Sequence, residues 1–198
     1  MKAKRRNCAI VFDLEFTAWP GSLAARWTRA GEYTEIVQIG AVKLDAESLT
    51  PVDEFEMLVR PRINPVLSQY FVDLTSITNE RLQARGVDFI VAYRAFLDFA
   101  GDSVVWAFGR DDLVFQRNLK LYGWNTLPVP PYANAVPWFA ANGVDLAGKH
   151  ACDVAEVVGA EFVGHKHDAL SDARGVAAGF RTLIERGAAN PFVAASAP

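Results

Sequence analysis

Asp13 and Glu15 stand two residues apart at the end of an apolar run, Cys8-Ala9-Ile10-Val11-Phe12. Two more acids, Asp111 and Asp112, follow Gly109, and His167 precedes Asp172 by five residues. Carboxylates from three separate segments can hold two divalent cations about 3.5 to 4 Å apart, with an imidazole beside them to take a proton from water. The chemistry that suits this set is metal-assisted hydrolysis of a phosphodiester.

Three elements must position these groups. Cys8 to Glu15 reads as a strand, where residues two apart share a face, so Asp13 and Glu15 project together. Taken alone, such a pair is more often a charged strand end in water. Ala169 to about Glu185 reads as a helix, with Ala173, Val176, Ala177, Phe180 and Ile184 on its buried face and Asp172 at the border of that stripe. Five helical residues would turn His167 roughly 140° away from Asp172, so His167 belongs in the preceding loop, beyond Gly164. Ser103 to Phe108 reads as a buried strand, Gly109 as a turn, and Asp111 onward as a helix to about Tyr122, ended by Gly123. Asp111 and Asp112 lie equally close to the apolar edge of Phe115, Leu119 and Tyr122, and either could be a plain helix cap.

The chain resembles the DEDDh branch of the DnaQ-like 3′-5′ exonucleases in three motifs: Phe12-Asp13-Leu14-Glu15-Phe16-Thr17, Phe108-Gly109-Arg110-Asp111-Asp112, and His167-Asp168-Ala169-Leu170-Ser171-Asp172. Glu35 to Val42 is similar to the family's second strand. Leu58 to Pro61 and Leu74 to Thr78 are similar to the linker of one subgroup, the exoribonucleases related to the histone-mRNA 3′-exonuclease and the RNA-interference-limiting exonuclease. The likeness runs from about residue 8 to residue 185. It implies a ribonuclease-H-like α/β fold, a mixed sheet of about five strands flanked by helices. It also implies two divalent cations, Mg2+ or Mn2+, with Asp13 bridging both, Glu15 and Asp172 completing the first site, and Asp112 serving the second. The family's spacing, three residues after the glycine, selects Asp112 over Asp111. His167 is implied as general base, and Phe16, Thr17, Leu74, Thr75 and Ile77 as substrate contacts. Ser76 departs from the pattern, since many relatives carry glycine there. The implied reaction releases nucleoside 5′-monophosphates from single-stranded 3′ ends, RNA before DNA. An inactive nucleic-acid-binding module on the same fold is the rival reading, but a decayed member would be expected to lack one of the five site residues.

Composition is compatible with this reading. The 198 residues, 51% hydrophobic, can fill the core of one sizeable domain, expected over residues 8–187 between a basic tail, 1–7, and a loosely held end, 188–198. A net charge of −3 is unlike a general nucleic-acid coat, so binding must be local. Two cysteines make no disulfide framework, and the apolar run that stops at Asp13 is too short for an export core, so a cytoplasmic protein off the membrane is expected. Strands are expected near 8–15, 35–44, 53–60 and 103–108, with a fifth near 143–147. Helices are expected from Thr78 to Arg85 and from Phe89 to Ala100. Residues 16–34 carry Phe16, Trp19, Trp27 and Tyr33 beside Arg26 and Arg29. They could stack on bases, although aromatics in a long loop more often pack on one another. Pro128 to Pro131 and Trp138 read as structural.

Overall fold

The fold follows from the alternation of its first strand, and the structure, a computed structural model, describes residues 7–193. β1 (Cys8–Phe16) pairs antiparallel with β2 (Ile36–Asp45), which pairs antiparallel with β3 (Pro51–Leu58). On its other side β1 runs parallel to β4 (Val105–Ala107), and β4 runs parallel to β5 (Tyr132–Asn134). The sheet is mixed and five-stranded, ordered β3-β2-β1-β4-β5, with β1 at its centre.

The fifth strand is not where the apolar residues near 143–147 suggested. Val144 and Leu146 do enter the core, but from a loop, while Tyr132–Asn134 takes the edge after the Val105 N–H donates to the Pro131 carbonyl at 2.8 Å. Three residues are too few to display an alternating pattern, so this strand leaves no periodic mark in the chain.

The helices are α1 (Ser22–Ala25), α2 (Gln69–Thr75), α3 (Asn79–Arg85), α4 (Phe89–Ala100), α5 (Asp111–Leu121), α6 (Ala135–Ala141), α7 (Val154–Val157) and α8 (Ala169–Glu185). The 3-10 turn Ala151–Asp153 leads into α7. Thr78 caps α3 by accepting from the Arg81 N–H at 3.1 Å, as its residue type predicts.

Even-numbered residues of β1, namely Ile10, Phe12 and Leu14, join a core with Phe89, Tyr93 and Phe96 of α4 and Phe115 and Leu119 of α5. Ala9 and Val11 face the other way, against Phe139 of α6, Val154 of α7 and Ala173, Val176 and Phe180 of α8. Asp13 and Glu15 continue this second set, so the pleat that buries Ala9 and Val11 aims both acids toward α8.

Two buried amides anchor the helices that carry the remaining acids. Gln38 of β2 accepts from the Ala169 N–H at 2.9 Å and donates to Asp168 Oδ2 at 2.8 Å, while Asp168 Oδ1 accepts from the Ser171 N–H. Asn118 of α5 accepts from the Ile36 N–H at 3.0 Å and donates to the Thr34 carbonyl at 2.7 Å. The first turn of α8 lies directly on β2 at Gly40, the ladder partner of Asp13.

Residues 188–193 are packed rather than loose. Phe192 meets the rings of Trp106 and Phe180 at 5.3 and 4.8 Å, and Asn190 donates to the Ala46 carbonyl at 2.9 Å. Residues 1–6 of the expected basic tail and 194–198 of the expected loose end lie outside the described residues. Among the described residues no helix is long and apolar enough to cross a membrane.

A Cβ built on Gly40 runs into the backbone of Ala169 and Leu170. Gly40→Ala is therefore expected to push α8 off the sheet and to cost about 1–3 kcal/mol, the usual range for overpacking, read from denaturant unfolding. Unchanged stability would mean that the helix does not rest on this glycine.

Candidate active site

Oxygens of Asp13, Glu15 and Asp172 lie within 4.8 Å of one another, and all three residues are buried. Asp13 and Glu15 reach this point from the end of β1, Asp172 from the first turn of α8. His167 sits in the loop just ahead of α8, as its spacing requires, with a left-handed backbone, φ 61°. It lines the same cleft as the three acids, a cavity of about 310 Å³. That volume is at the lower end of the range for small-molecule sites.

The fourth acid in the cleft is Asp111, not Asp112. Gly109 turns with φ 94°, a conformation that favours glycine, and β5 pins the turn. The Gly109 N–H donates to Asn134 Oδ1 at 3.1 Å, and the Tyr132 hydroxyl donates to the Gly109 carbonyl. This fixes the start of α5 so that Asp111 points at β1. Asp112 is turned aside into a two-pronged pair with Arg110, whose Nε and Nη2 donate at 2.8 and 2.9 Å. The acid chosen by its distance from the glycine, Asp112, is thus not the one that lines the cleft. Counting from the glycine cannot see which way the turn directs the helix.

Burial and mutual repulsion dominate the electrostatics. The Asp13 carboxyl is pushed well above the usual range by burial, then by Asp111, Asp172 and Glu15. Glu15 is raised in the same way by burial, then Asp172 and Asp111. Burial and the neighbouring Asp112 take Asp111 up to about 8, with the Leu14 N–H pulling it part of the way back. Burial takes Asp172 to about 7, against the backbone N–H of His167. His167 is lowered, first by burial and then by His150, so the neutral, proton-accepting ring is favoured.

Among the described residues, Asp111 Oδ2 and Asp172 Oδ1 are buried with no hydrogen-bond partner. Anionic oxygens left without donors in a dry site are costly unless a cation meets them. Donors made of oxygen alone suit a hard divalent ion such as Mg2+ or Mn2+. The residues present therefore fit the expected cofactor.

Of the five expected substrate contacts, Phe16 and Leu74 line the cleft. Thr17, Thr75 and Ile77 do not, because each is buried in the framework behind it. The Thr17 hydroxyl donates to the Tyr33 carbonyl and accepts from the Glu35 N–H, and the Thr75 hydroxyl bonds the backbone of Phe71 and Ile77. Ile77 is fully enclosed with Leu67, Phe71 and Leu82. Ser76, in the place of the expected glycine, takes φ 60° and so keeps the glycine-like turn.

The loop 16–34 packs on itself, and it also walls the cleft. Trp27 lies 5.2 Å from the Phe16 ring and donates to the Thr17 carbonyl at 2.8 Å, yet Trp19, Leu23 and Trp27 all face the cavity. Phe108, from the second motif, lines the cleft as well, and so do Tyr70 and His150, which carry no local signal in the chain. Only the approach of distant segments brings them there.

Residues 10–180 match the family model RNase T, described as Exonuclease. No curated protein is similar enough in sequence to count as a relative. Among the solved structures that this chain resembles is the 3′-exonuclease of "3'-end specific recognition of histone mRNA stem-loop". It has a TM-score of 0.77 and 20% identity, over 93% of this chain and 84% of that one. The nuclease domain of 3′hExo, a DEDDh family member bound to rAMP, aligns at TM-score 0.75 and 21% identity, over 93% and 95%. Exonuclease I of E. coli in complex with a 5cy-dT13 oligonucleotide aligns at 0.61 and 16%, over 92% of this chain but only 41% of that one. The chain belongs to the exonuclease family, and both its motifs and its fold are of the DEDDh, DnaQ-like type.

In a chelating buffer the folded protein holds protons on these carboxyls that the unfolded chain would release. Its stability is therefore expected to fall as pH rises through the raised values of Asp172, about 7, and Asp111, about 8. The midpoint of thermal unfolding should drop between about pH 6.5 and 8.5, beyond the ordinary imidazole pKa of about 6.5. Asp111→Asn should flatten that slope. A midpoint that holds steady or climbs across this window would contradict the buried, mutually repelling acids.

Proposed function

We propose that this protein is a metal-dependent 3′-5′ exonuclease acting on single-stranded ends, RNA in preference to DNA, and releasing nucleoside 5′-monophosphates. The observation that carries the reading is the convergence of Asp13, Glu15, Asp111 and Asp172, with His167, on one cleft. Asp13, Glu15 and Asp172 would hold one cation, and Asp111 with Asp13 a second. Bound there, such ions would offset the repulsion among the acids, attract the phosphate and stabilise the charge that develops on it.

The chain's own groups do the rest. His167, neutral around pH 7 because burial lowers its proton affinity, takes the proton of the attacking water. Phe16, Leu74 and Trp19 offer flat and apolar surfaces on which the terminal base can stack. The buried floor keeps the acids in place without a rearrangement at the moment of reaction. The RNA preference draws on the subgroup that the linker resembles and on the two similar structures above, one concerned with recognition of a histone mRNA stem-loop and one bound to rAMP.

A time course on matched RNA and DNA oligomers labelled at the 5′ end tests the proposal. It should give a ladder shortening from the 3′ end, faster on RNA, lost with chelator and restored by Mg2+ or Mn2+. Retained turnover in a metal-stripped sample would sink the metal requirement, and equal rates would sink the RNA preference.

The register of the middle acid is read separately. Asp111→Asn should cost at least about a hundredfold in kcat, whereas Asp112→Asn, which loses only its pair with Arg110, should be mild. The reverse ranking would return the role to Asp112.

His167→Ala should slow cleavage by about 10²- to 10⁴-fold with little change in substrate binding. His165, whose ring instead meets the Ser76 hydroxyl at 3.2 Å, is the control. Were the His165→Ala variant the crippled one, the base would have been misassigned.

A further inference from the structure

Cys152 has no part in the chemistry above, yet it sits beside two residues that do. It lies on the 3-10 turn Ala151–Asp153, almost wholly buried, and its Sγ is within 4.8 Å of a His167 ring nitrogen and an Asp172 carboxylate oxygen, which are equally close to each other. Asp172 is itself only 2% exposed, and its Oδ1 has no hydrogen-bond partner among the described residues. We propose that Cys152, His167 and Asp172 form a second cation site, selective for zinc-class ions, and that an ion held there switches the exonuclease off.

The donor chemistry argues for the class of ion. Thiolate and imidazole favour Zn2+ and its near relatives, whereas the neighbouring set of Asp13, Glu15 and Asp172 offers oxygen alone and favours Mg2+ or Mn2+. Three protein ligands with an open fourth position for water is a common zinc arrangement. Zinc bonds of about 2.0 to 2.3 Å put tetrahedral ligands about 3.3 to 3.8 Å apart, so donors that already lie within 4.8 Å of one another need to close by at most about 1.5 Å. The half-buried His167 ring, on a loop, can supply that movement, and the cleft it lines provides the way in. Binding would expel the thiol proton.

The inhibitory half rests on the proposed exonuclease activity. An ion on His167 occupies the lone pair that would accept the proton from water, and it draws Asp172 away from the oxygen-only set. One residue outside the reaction, Cys152, would thus let the protein distinguish an activating cation from a blocking one.

Cobalt(II) tests the site directly, because a thiolate bound to it gives a charge-transfer band in the near ultraviolet. The chain has only two cysteines, so the tag-free protein and its Cys8→Ser and Cys152→Ser variants assign any band to one sulfur. The band should appear with cobalt alone in the parent and in Cys8→Ser, be absent in Cys152→Ser, and be displaced by zinc. Cys8→Ser leaves Cys152 as the sole thiol, so the test survives even if Cys152→Ser does not fold. A parent without the band, or a band lost in Cys8→Ser, overturns the site. With Mg2+ in excess, the zinc concentration that halves the parent's own rate should be at least about tenfold below that for Cys152→Ser relative to its own rate. Equal zinc sensitivity overturns the switch. A protein that shows the band but cleaves nothing refutes the exonuclease reading alone, and one that cleaves without the band refutes this site alone.

Discussion

Everything at the site depends on how closely α8 approaches the sheet. Gly40 faces Asp13 across the β1-β2 ladder, and the backbone of Ala169 and Leu170 fills the space a side chain would take. With the helix seated there, Asp172 comes within reach of Asp13 and Glu15, and the loop before it lays His167 over the cleft. Gln38, two residues from Gly40 on β2, binds both Asp168 and the Ala169 N–H and so fixes the rotation of the helix as well as its depth. A glycine and a glutamine on one strand thereby set the geometry of acids on two other elements.

The contrast between buried carboxylates distinguishes support from chemistry. Glu35 is fully buried, yet it accepts from the N–H groups of Arg62, Ile63 and Asn64 and from the Tyr122 hydroxyl, at 2.6 to 2.8 Å. It is a satisfied anion that ties a loop to the core. Asp172 is buried almost as deeply and Asp111 is half-buried, but each keeps a buried oxygen without a donor, and each is pushed toward neutrality. The fold holds these groups in a state that costs stability, which is the usual signature of a site waiting for a charged partner.

The same crowding explains why the surroundings matter. Cys152 and His150 approach from the segment before α7, the aromatic loop from beyond β1, and Tyr70 and Leu74 from α2. The cleft is the place where these three segments meet over the end of β1 and the start of α8. Its walls can therefore change in substrate or metal preference while the acids beneath stay fixed.

By itself the sequence determined the elements whose signal is local and periodic. Asp13 and Glu15 on one face of β1, the bounds of α4 and α8, and His167 ahead of its helix all follow from strand and helix periods and from caps. The mixed five-stranded sheet follows from the motifs' resemblance to a known family. Tertiary structure alone decided what depends on direction rather than spacing. The turn at Gly109, held by Asn134 and Tyr132 from a strand too short to announce itself, put Asp111 in the cleft and gave Asp112 to Arg110. Packing enclosed Ile77 and Thr75 that a motif match had assigned to substrate, and it carried Cys152 to within reach of His167 and Asp172. Residues that meet only because distant segments fold over one another share no periodicity, so no window of the chain records their contact.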